Sequence, residues 1–405
     1  MRLHRNLVFT TIDSLMAIFN EGEYADKVVA RALKKDKRWG SHDRKFVAET
    51  IYEIVRWKRL YTEIAEVKEP FDRDKIWRIF AVWAVLRGYT LPDWKYFEDT
   101  PVRRIKGKFD ELTKTRKFRE SIPDWMDELG VKELGEETWT KELAAQNEQA
   151  KVILRVNRLK TTKEKLRAIL MDLNIETEFH KDYPDALILT ERANVFLTDA
   201  FKDGLFEVQD ASSQLVAYFL DVQPGMRVVD TCAGAGGKTL HLASLMENKG
   251  QLIAMDLYES KLKQLKIRAK RNGAFNIEPR VIESTKTIKK LHEKADRVLI
   301  DAPCSGLGVL KRNPDSKWKL QPEFIDNIRK VQAEVLENYS KIVKPGGKLV
   351  YATCSVLPSE NQEQIKHFLS TEIGKEFTFV KDQKVLASGS GFDGFYMALL
   401  ERKNK

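Results

Sequence analysis

Cysteine is scarce and histidine nearly so: Cys232, Cys304 and Cys354 are the only thiols in 405 residues, beside six histidines. An odd, sparse set cannot staple a chain of this length with disulfides, so reduced thiols and a reducing compartment are expected. Long apolar runs are missing too. The longest early stretch, Leu7 to Phe19, is broken by Thr10, Thr11, Asp13 and Ser14, which excludes a membrane span and the core of a secretory signal. Internal repeats and low-complexity tracts are absent. A cytoplasmic monomer without a membrane partner is the expectation. What is present is 42% hydrophobic residues, enough for folded cores throughout, and an excess of 70 Lys and Arg over 60 Asp and Glu. That balance favours a polyanionic partner such as RNA.

The two halves of the chain differ in construction. Trp39, Trp57, Trp77, Trp83, Trp94, Trp125 and Trp139 all lie early, whereas the glycine-rich motifs follow residue 200. Val47, Ile51, Ile54, Tyr61 and Ile64 recur near helical spacing, as do Ile76, Ile79, Phe80, Trp83 and Leu86, so residues 1–145 read as an all-helical domain. Its aromatic stripes are expected to pack a core rather than stack on bases. Residues 146–205 read as a small α+β module, with strands at Val152 to Asn157 and Ala186 to Leu189 around a helix from Thr161 to Leu173. From 206 to 405 strands and helices alternate. Strands at Met226 to Val229, Gln251 to Met255, Arg297 to Ile300 and Lys348 to Ala352 predict a mainly parallel sheet covered on both faces, an α/β Rossmann-like domain.

The stretch from Val228 to Thr239 leaves a strand, passes Asp230-Thr231-Cys232-Ala233-Gly234-Ala235-Gly236-Gly237-Lys238, and enters a helix. Small side chains keep such a turn open, and the helix start presents unpaired N–H groups to a ligand. Asp256 ends the next strand, where a carboxylate can accept from ribose hydroxyls. The spacing is neither that of a dinucleotide-binding turn nor that of a full phosphate loop, and Asp230 would repel a polyphosphate. It suits the ammonium of S-adenosylmethionine, or else simply caps the helix.

Asp301-Ala302-Pro303-Cys304-Ser305-Gly306 follows one strand and Thr353-Cys354-Ser355 another, so both thiols belong at the carboxyl edge of the sheet, where open α/β folds bind ligands. Carbon 5 of cytosine is too weak a nucleophile to take a methyl group unless a thiolate first adds to carbon 6. A second group must later remove the carbon 5 proton. Asp301 is placed to hold the base edge at N3 and the exocyclic amine. A metal site is not expected, because the thiols form no C-x-x-C pair and no histidine stands beside either at ligand spacing. His241 and His292 lie away from strand ends and are read as helix or surface residues rather than catalysts.

These motifs, together with Gln209-Asp210-Ala211-Ser212-Ser213-Gln214 and Phe392-Asp393-Gly394-Phe395-Tyr396, resemble in kind and order those of the Sun or RsmB-type RNA (cytosine-C5) methyltransferases. Asp43-Arg44-Lys45-Phe46-Val47-Ala48-Glu49 and Arg56 resemble the family's NusB-like helical domain, and the small module its RNA-recognition-like domain. The resemblance implies that Cys354 attacks the base, that Cys304 assists product release with Asp301 nearby, and that Asp230, Cys232, Ala233, Gly234, Ala235, Gly236, Gly237, Lys238, Asp256 and Asp301 contact S-adenosylmethionine or the target. Small-subunit ribosomal RNA is the implied substrate, with transfer RNA as the alternative. Two departures stand out: Gly234-Ala235 replaces the family's Ala-Pro, and Ile282-Glu283-Ser284-Thr285 stands where the family places an adenine-binding Asp, so Glu283 is the candidate substitute. Other readings are a DNA cytosine methyltransferase using Cys304 of the Pro-Cys pair, and a non-catalytic ribosome assembly factor.

Overall fold

The computed structural model describes residues 3–404, and the chain divides into two compact units: Met1–Glu148 with Leu310–Pro322, and Gln149–Val309 with Glu323–Lys405. The first is helical. Helices Arg5–Asn20, Ser41–Arg56 and Arg73–Leu86 bury the stripes that carry Ile12, Ile51, Ile54, Ile79 and Phe80. Trp77 and Trp83 are buried among them, with Trp77 stacked on Tyr96 at 4.2 Å, so these aromatics pack a core.

Segment Leu310–Pro322, placed by sequence reading within 206–405, is part of this helical unit. Its Lys317 is fully buried, and the ammonium donates to Asn147 Oδ1 at 2.7 Å and to the carbonyls of Glu120 and Ser121 at 3.1 and 3.2 Å. Burial of a lysine is tolerated here because helix-end carbonyls supply the acceptors that water would otherwise provide. Trp318, from the same segment, donates to the Val55 carbonyl at 2.6 Å. All eight tryptophans therefore lie in this unit.

The second unit holds two sheets. The smaller, in order β2-β3-β1-β4, is antiparallel and consists of β1 (Ile153–Val156), β2 (Thr177–Phe179), β3 (Ala186–Leu189) and β4 (Phe206–Val208). Helix Lys163–Asp172 covers one face with Leu166 and Leu170. Strands β2 and β4 escape sequence reading because three residues are too few for a pattern.

The larger sheet runs β10-β11-β9-β8-β5-β6-β7, built from β5 (Arg227–Asp230), β6 (Gln251–Asp256), β7 (Ile277–Val281), β8 (Ala295–Asp301), β9 (Val343–Thr353), β10 (Phe377–Val385) and β11 (Phe395–Arg402). Strands β7 to β9 are parallel, while β11 and β10 join antiparallel at one edge. Apolar clusters fill both faces, with Val228, Leu252 and Leu299 on one side and Val229, Ile253 and Ile300 on the other. Two-sided burial explains the near-continuous apolar runs that marked these strands. The two sheets are tied by Asp185, which accepts from Arg158 Nε and the Tyr218 hydroxyl, each at 2.6 Å, and meets His241 Nε2 at 2.8 Å. His241 thus sits fully buried in helix Gly237–Leu245 as a tie between sheets.

Replacing Lys317 with Ala leaves several buried carbonyls without a donor, and is expected to lower the stability of the helical unit by about 3 kcal/mol. Urea unfolding followed by tryptophan fluorescence reads that unit alone; an unchanged midpoint would remove Lys317 from its supports.

Candidate active site

Four of the five parallel strands deliver a polar group at their carboxyl ends: Asp230 from β5, Asp256 from β6, Asp301 from β8 and Thr353 before Cys354 from β9. Between them lies a cavity of about 470 Å³ lined by Asp230 to Ala235, Gly237, Lys238, Asp256, Leu257, Tyr258, Ile282, Asp301, Pro303 and Tyr339. The loop that follows β5 is shaped by Gly236, whose φ of +89° favours glycine and where a Cβ would come within 2.8 Å of Leu265. The loop's carbonyls are held from behind by arginines. Arg268 donates to Ala235 O at 2.8 Å, and Arg155, reaching over from β1, donates to Gly237 O.

The carboxylates differ in duty. Asp256 accepts from the N–H groups of Gly234 and Tyr258, both at 2.9 Å, which fixes the loop against the end of β6. Asp230 is buried and accepts from Thr239 Oγ1 at 2.7 Å. Burial pushes its carboxyl up to about 7, and the neighbouring Asp301 charge adds to the effect. Lys238 is paired with Asp301 at 2.7 Å, and although burial alone would pull its ammonium down, Asp301, Cys354 and Asp230 hold it above the ordinary lysine value. Three carboxylates thus face one committed ammonium, with Lys261 at the exposed rim. The cavity lacks positive charge that a cationic ligand would supply.

The thiols come together beside this cavity. Cys304 Sγ and Cys354 Sγ are 3.3 Å apart, both partly exposed, and Pro303, next to Cys304, lines the cavity. The hydrogen bond to Cys354, followed by burial, pushes the Cys304 thiol well up. The backbone is drawn tight here. Gly308 N–H donates to Cys354 O at 2.8 Å and Gly394 N–H to Gly308 O at 2.7 Å, an approach that a Cβ on Gly308 would block at 2.2 Å from Gly394 O. Cys232 lines the cavity, and burial raises its thiol, so it acts there as a neutral wall.

Of the residues singled out from sequence, Asp230, Cys232, Ala233, Gly234, Ala235, Gly237, Lys238, Asp256 and Asp301 share the cavity wall, with Gly236 behind it as the helix N-cap. Glu283 does not join them: it is exposed after β7, and Ile282 takes the wall position. Val331, Val335 and Tyr339 were missed; they occupy one face of helix Pro322–Ser340 at four-residue spacing, a stripe that marks a helix face without saying what it faces.

Comparison with known proteins places this geometry. The chain is 32% identical to a probable ribosomal RNA small subunit methyltransferase B of Synechocystis sp., across 88% of this chain and 87% of the relative. It belongs to the RsmB/F family of methyltransferases. Residues 217–401 match the family described as 16S rRNA methyltransferase RsmB/F, and residues 122–196 the ferredoxin-like domain of RsmF/B-like methyltransferases. The ribosomal RNA small subunit methyltransferase B of Salmonella paratyphi A is 37% identical, over 65% of this chain and 63% of its own length. The crystal structure of PH0851 aligns over 99% of this chain and 100% of its own, with a TM-score of 0.84 and 26% identity. As in this family, S-adenosylmethionine is the methyl donor, and the carboxylate-rich cavity fits its ammonium and sulfonium charges.

Asp230 is neutral below about pH 7 and anionic above it. A cationic ligand favours the anion, so S-adenosylmethionine affinity is expected to rise as pH approaches that value from below, where the ligand's own α-ammonium is still charged. Titration calorimetry across this range checks it. Asp230→Asn should weaken binding and flatten the profile; a slope that persists in this variant would assign the titration elsewhere.

Proposed function

We propose that the protein methylates carbon 5 of a cytosine in small-subunit ribosomal RNA through a covalent bond from Cys354 to carbon 6 of the ring. The observation that carries this reading is the thiol pair, 3.3 Å apart, beside the cofactor cavity and next to the Lys238–Asp301 ion pair. The names of the relatives support the ribosomal substrate. S-adenosylmethionine, when bound, supplies an electrophilic methyl group on sulfur.

The chain's own groups divide the remaining work. A cysteine attacks as its thiolate, and the Lys238 ammonium lies within electrostatic reach of the Cys354 sulfur. As the Cys354 sulfur bonds to carbon 6, negative charge develops toward ring N3. The Lys238 ammonium meets that charge, while Asp301 accepts from the exocyclic amine. Carbon 5, now enamine-like, takes the methyl group. Cys304 must then remove the carbon 5 proton, so that the electrons restore the ring double bond and expel the Cys354 thiolate. While Cys354 is free, its hydrogen bond to Cys304 opposes ionisation of Cys304. Once Cys354 is a thioether, that hydrogen bond is lost, so Cys304 can release its own proton to solvent and, as a thiolate, take the proton from carbon 5. A base reached by two sulfurs must be unstacked, so a loop or partly folded RNA is the substrate form.

Methyl transfer from labelled cofactor to small-subunit ribosomal RNA transcripts, followed by mapping of 5-methylcytosine, tests the reading. Cys354→Ala is expected to lower turnover by at least about 1000-fold. Cys304→Ala should instead accumulate a protein–RNA adduct, visible as a shifted band on a denaturing gel. Full activity in Cys354→Ala with none in Cys304→Ala would exchange the two roles, and methylation of transfer RNA alone would move the substrate.

A further inference from the structure

Glu360 has no part in the reaction as drawn, yet it is the fully buried carboxylate around which both cysteine loops are arranged. It lies in the short turn Pro358–Glu360 after β9. One carboxylate oxygen accepts from Ser305 Oγ at 2.5 Å and Ser355 Oγ at 2.6 Å. The other accepts from the Ser305 backbone N–H at 2.8 Å and from Gln332 Nε2 at 2.9 Å. Ser305 follows Cys304 and Ser355 follows Cys354, so one group grips the residue next to each thiol. Gln332 Nε2 also donates to the Pro303 carbonyl at 2.9 Å, and Asn361 Nδ2 donates to Ser355 O at 2.9 Å. The cavity wall includes none of Glu360, Ser305, Ser355 or Gln332.

Removing a carboxylate from water is costly unless its lone pairs are filled. Here all four acceptor directions are filled, and three of the four donors come from the thiol loops. Hydrogen bonds to a charged acceptor are shorter and stronger than neutral ones, so they hold distances that apolar packing would leave loose. We propose that Glu360 is a positioning residue: by clamping Ser305 and Ser355 it sets the spacing that lets one sulfur bond to carbon 6 while the other reaches the proton on carbon 5. It acts through the serines and touches neither RNA nor cofactor. The inference rests on the cytosine reading above for its catalytic consequence, while the spacing itself is a property of the chain.

An amide in place of the carboxylate offers acceptors on one side only and turns an N–H group toward donors on the other. Glu360→Gln is therefore expected to lower kcat about 10- to 100-fold, the loss that small misplacements cause, with the KM for S-adenosylmethionine within about 2-fold of the parent. Glu360→Asp, which keeps the charge on a shorter stem, should fall between Gln and the parent. The spacing can be read without turnover. Dibromobimane fluoresces after bridging two nearby thiols, and peptide mapping identifies the Cys304–Cys354 bridge in the full-length protein. Slower bridging in Glu360→Gln, together with the kcat loss, is the expected result. Parental turnover in that variant, or lost turnover with parental bridging, would overturn the proposal. Should Glu360→Gln fail to fold, Ser355→Ala and Glu360→Asp decide by the same two readouts. If the parent protein does not methylate cytosine, the functional reading fails, and the bridging rates still decide whether Glu360 sets the spacing.

Discussion

Parallel pairing of β8 with β9 is the constraint on which the site depends. Neighbouring parallel strands end at the same edge about 4.8 Å apart, and here Asp301 is in register with Ala352, so the loops beyond them start side by side. Cys304 and Cys354, separated by fifty positions, meet at 3.3 Å as a consequence. An antiparallel pairing would send the two loops to opposite ends of the sheet. Strands β10 and β11 can be antiparallel without harm, since the motif Phe392 to Tyr396 approaches the site from the turn before β11 and places Gly394 against Gly308.

Charge is arranged around that edge with economy. Asp256 spends its oxygens on backbone N–H groups and gives the loop its shape, whereas Asp230 has its charge opposed by burial. Lys238 stands between the cofactor side and the thiol side, bonded to Asp301 and coupled to Cys354. One buried ammonium can serve both because low local dielectric lengthens the reach of its field. The small antiparallel sheet takes part as well: Arg155 of β1 grips the Gly237 carbonyl, so the module that precedes the catalytic sheet also braces the cofactor loop.

The strands β5, β6, β8 and β9 were legible because both faces of a parallel sheet are buried and their sequences read as apolar runs. Strand β7 was not, since Glu278, Pro279 and Arg280 interrupt it on the half-exposed side of the sheet. Strands β2 and β4 were too short for periodicity. Glu283 attracted notice as an acid after a strand, but the chain turns so that Ile282 faces the cavity. Glu360 was passed over for the opposite reason: in a helix-like segment rich in Glu and Gln it looks like a solvated surface residue, and only its surroundings make it a buried acceptor.

The order of motifs alone pointed to S-adenosylmethionine-dependent methyl transfer, because a small-residue turn after a strand and an acid after the next suit that cofactor, with cysteines after two more strands at the same edge. Local sequence can do this where function needs particular atoms at strand ends, and strand ends follow from hydrophobic pattern. Tertiary structure decided the rest: which thiol faces which, what fills the lone pairs of Glu360, and that Leu310–Pro322 leaves the catalytic unit to bury Lys317 among helix ends. Those outcomes depend on partners brought from distant parts of the chain, and pairings of that kind leave no periodicity along it.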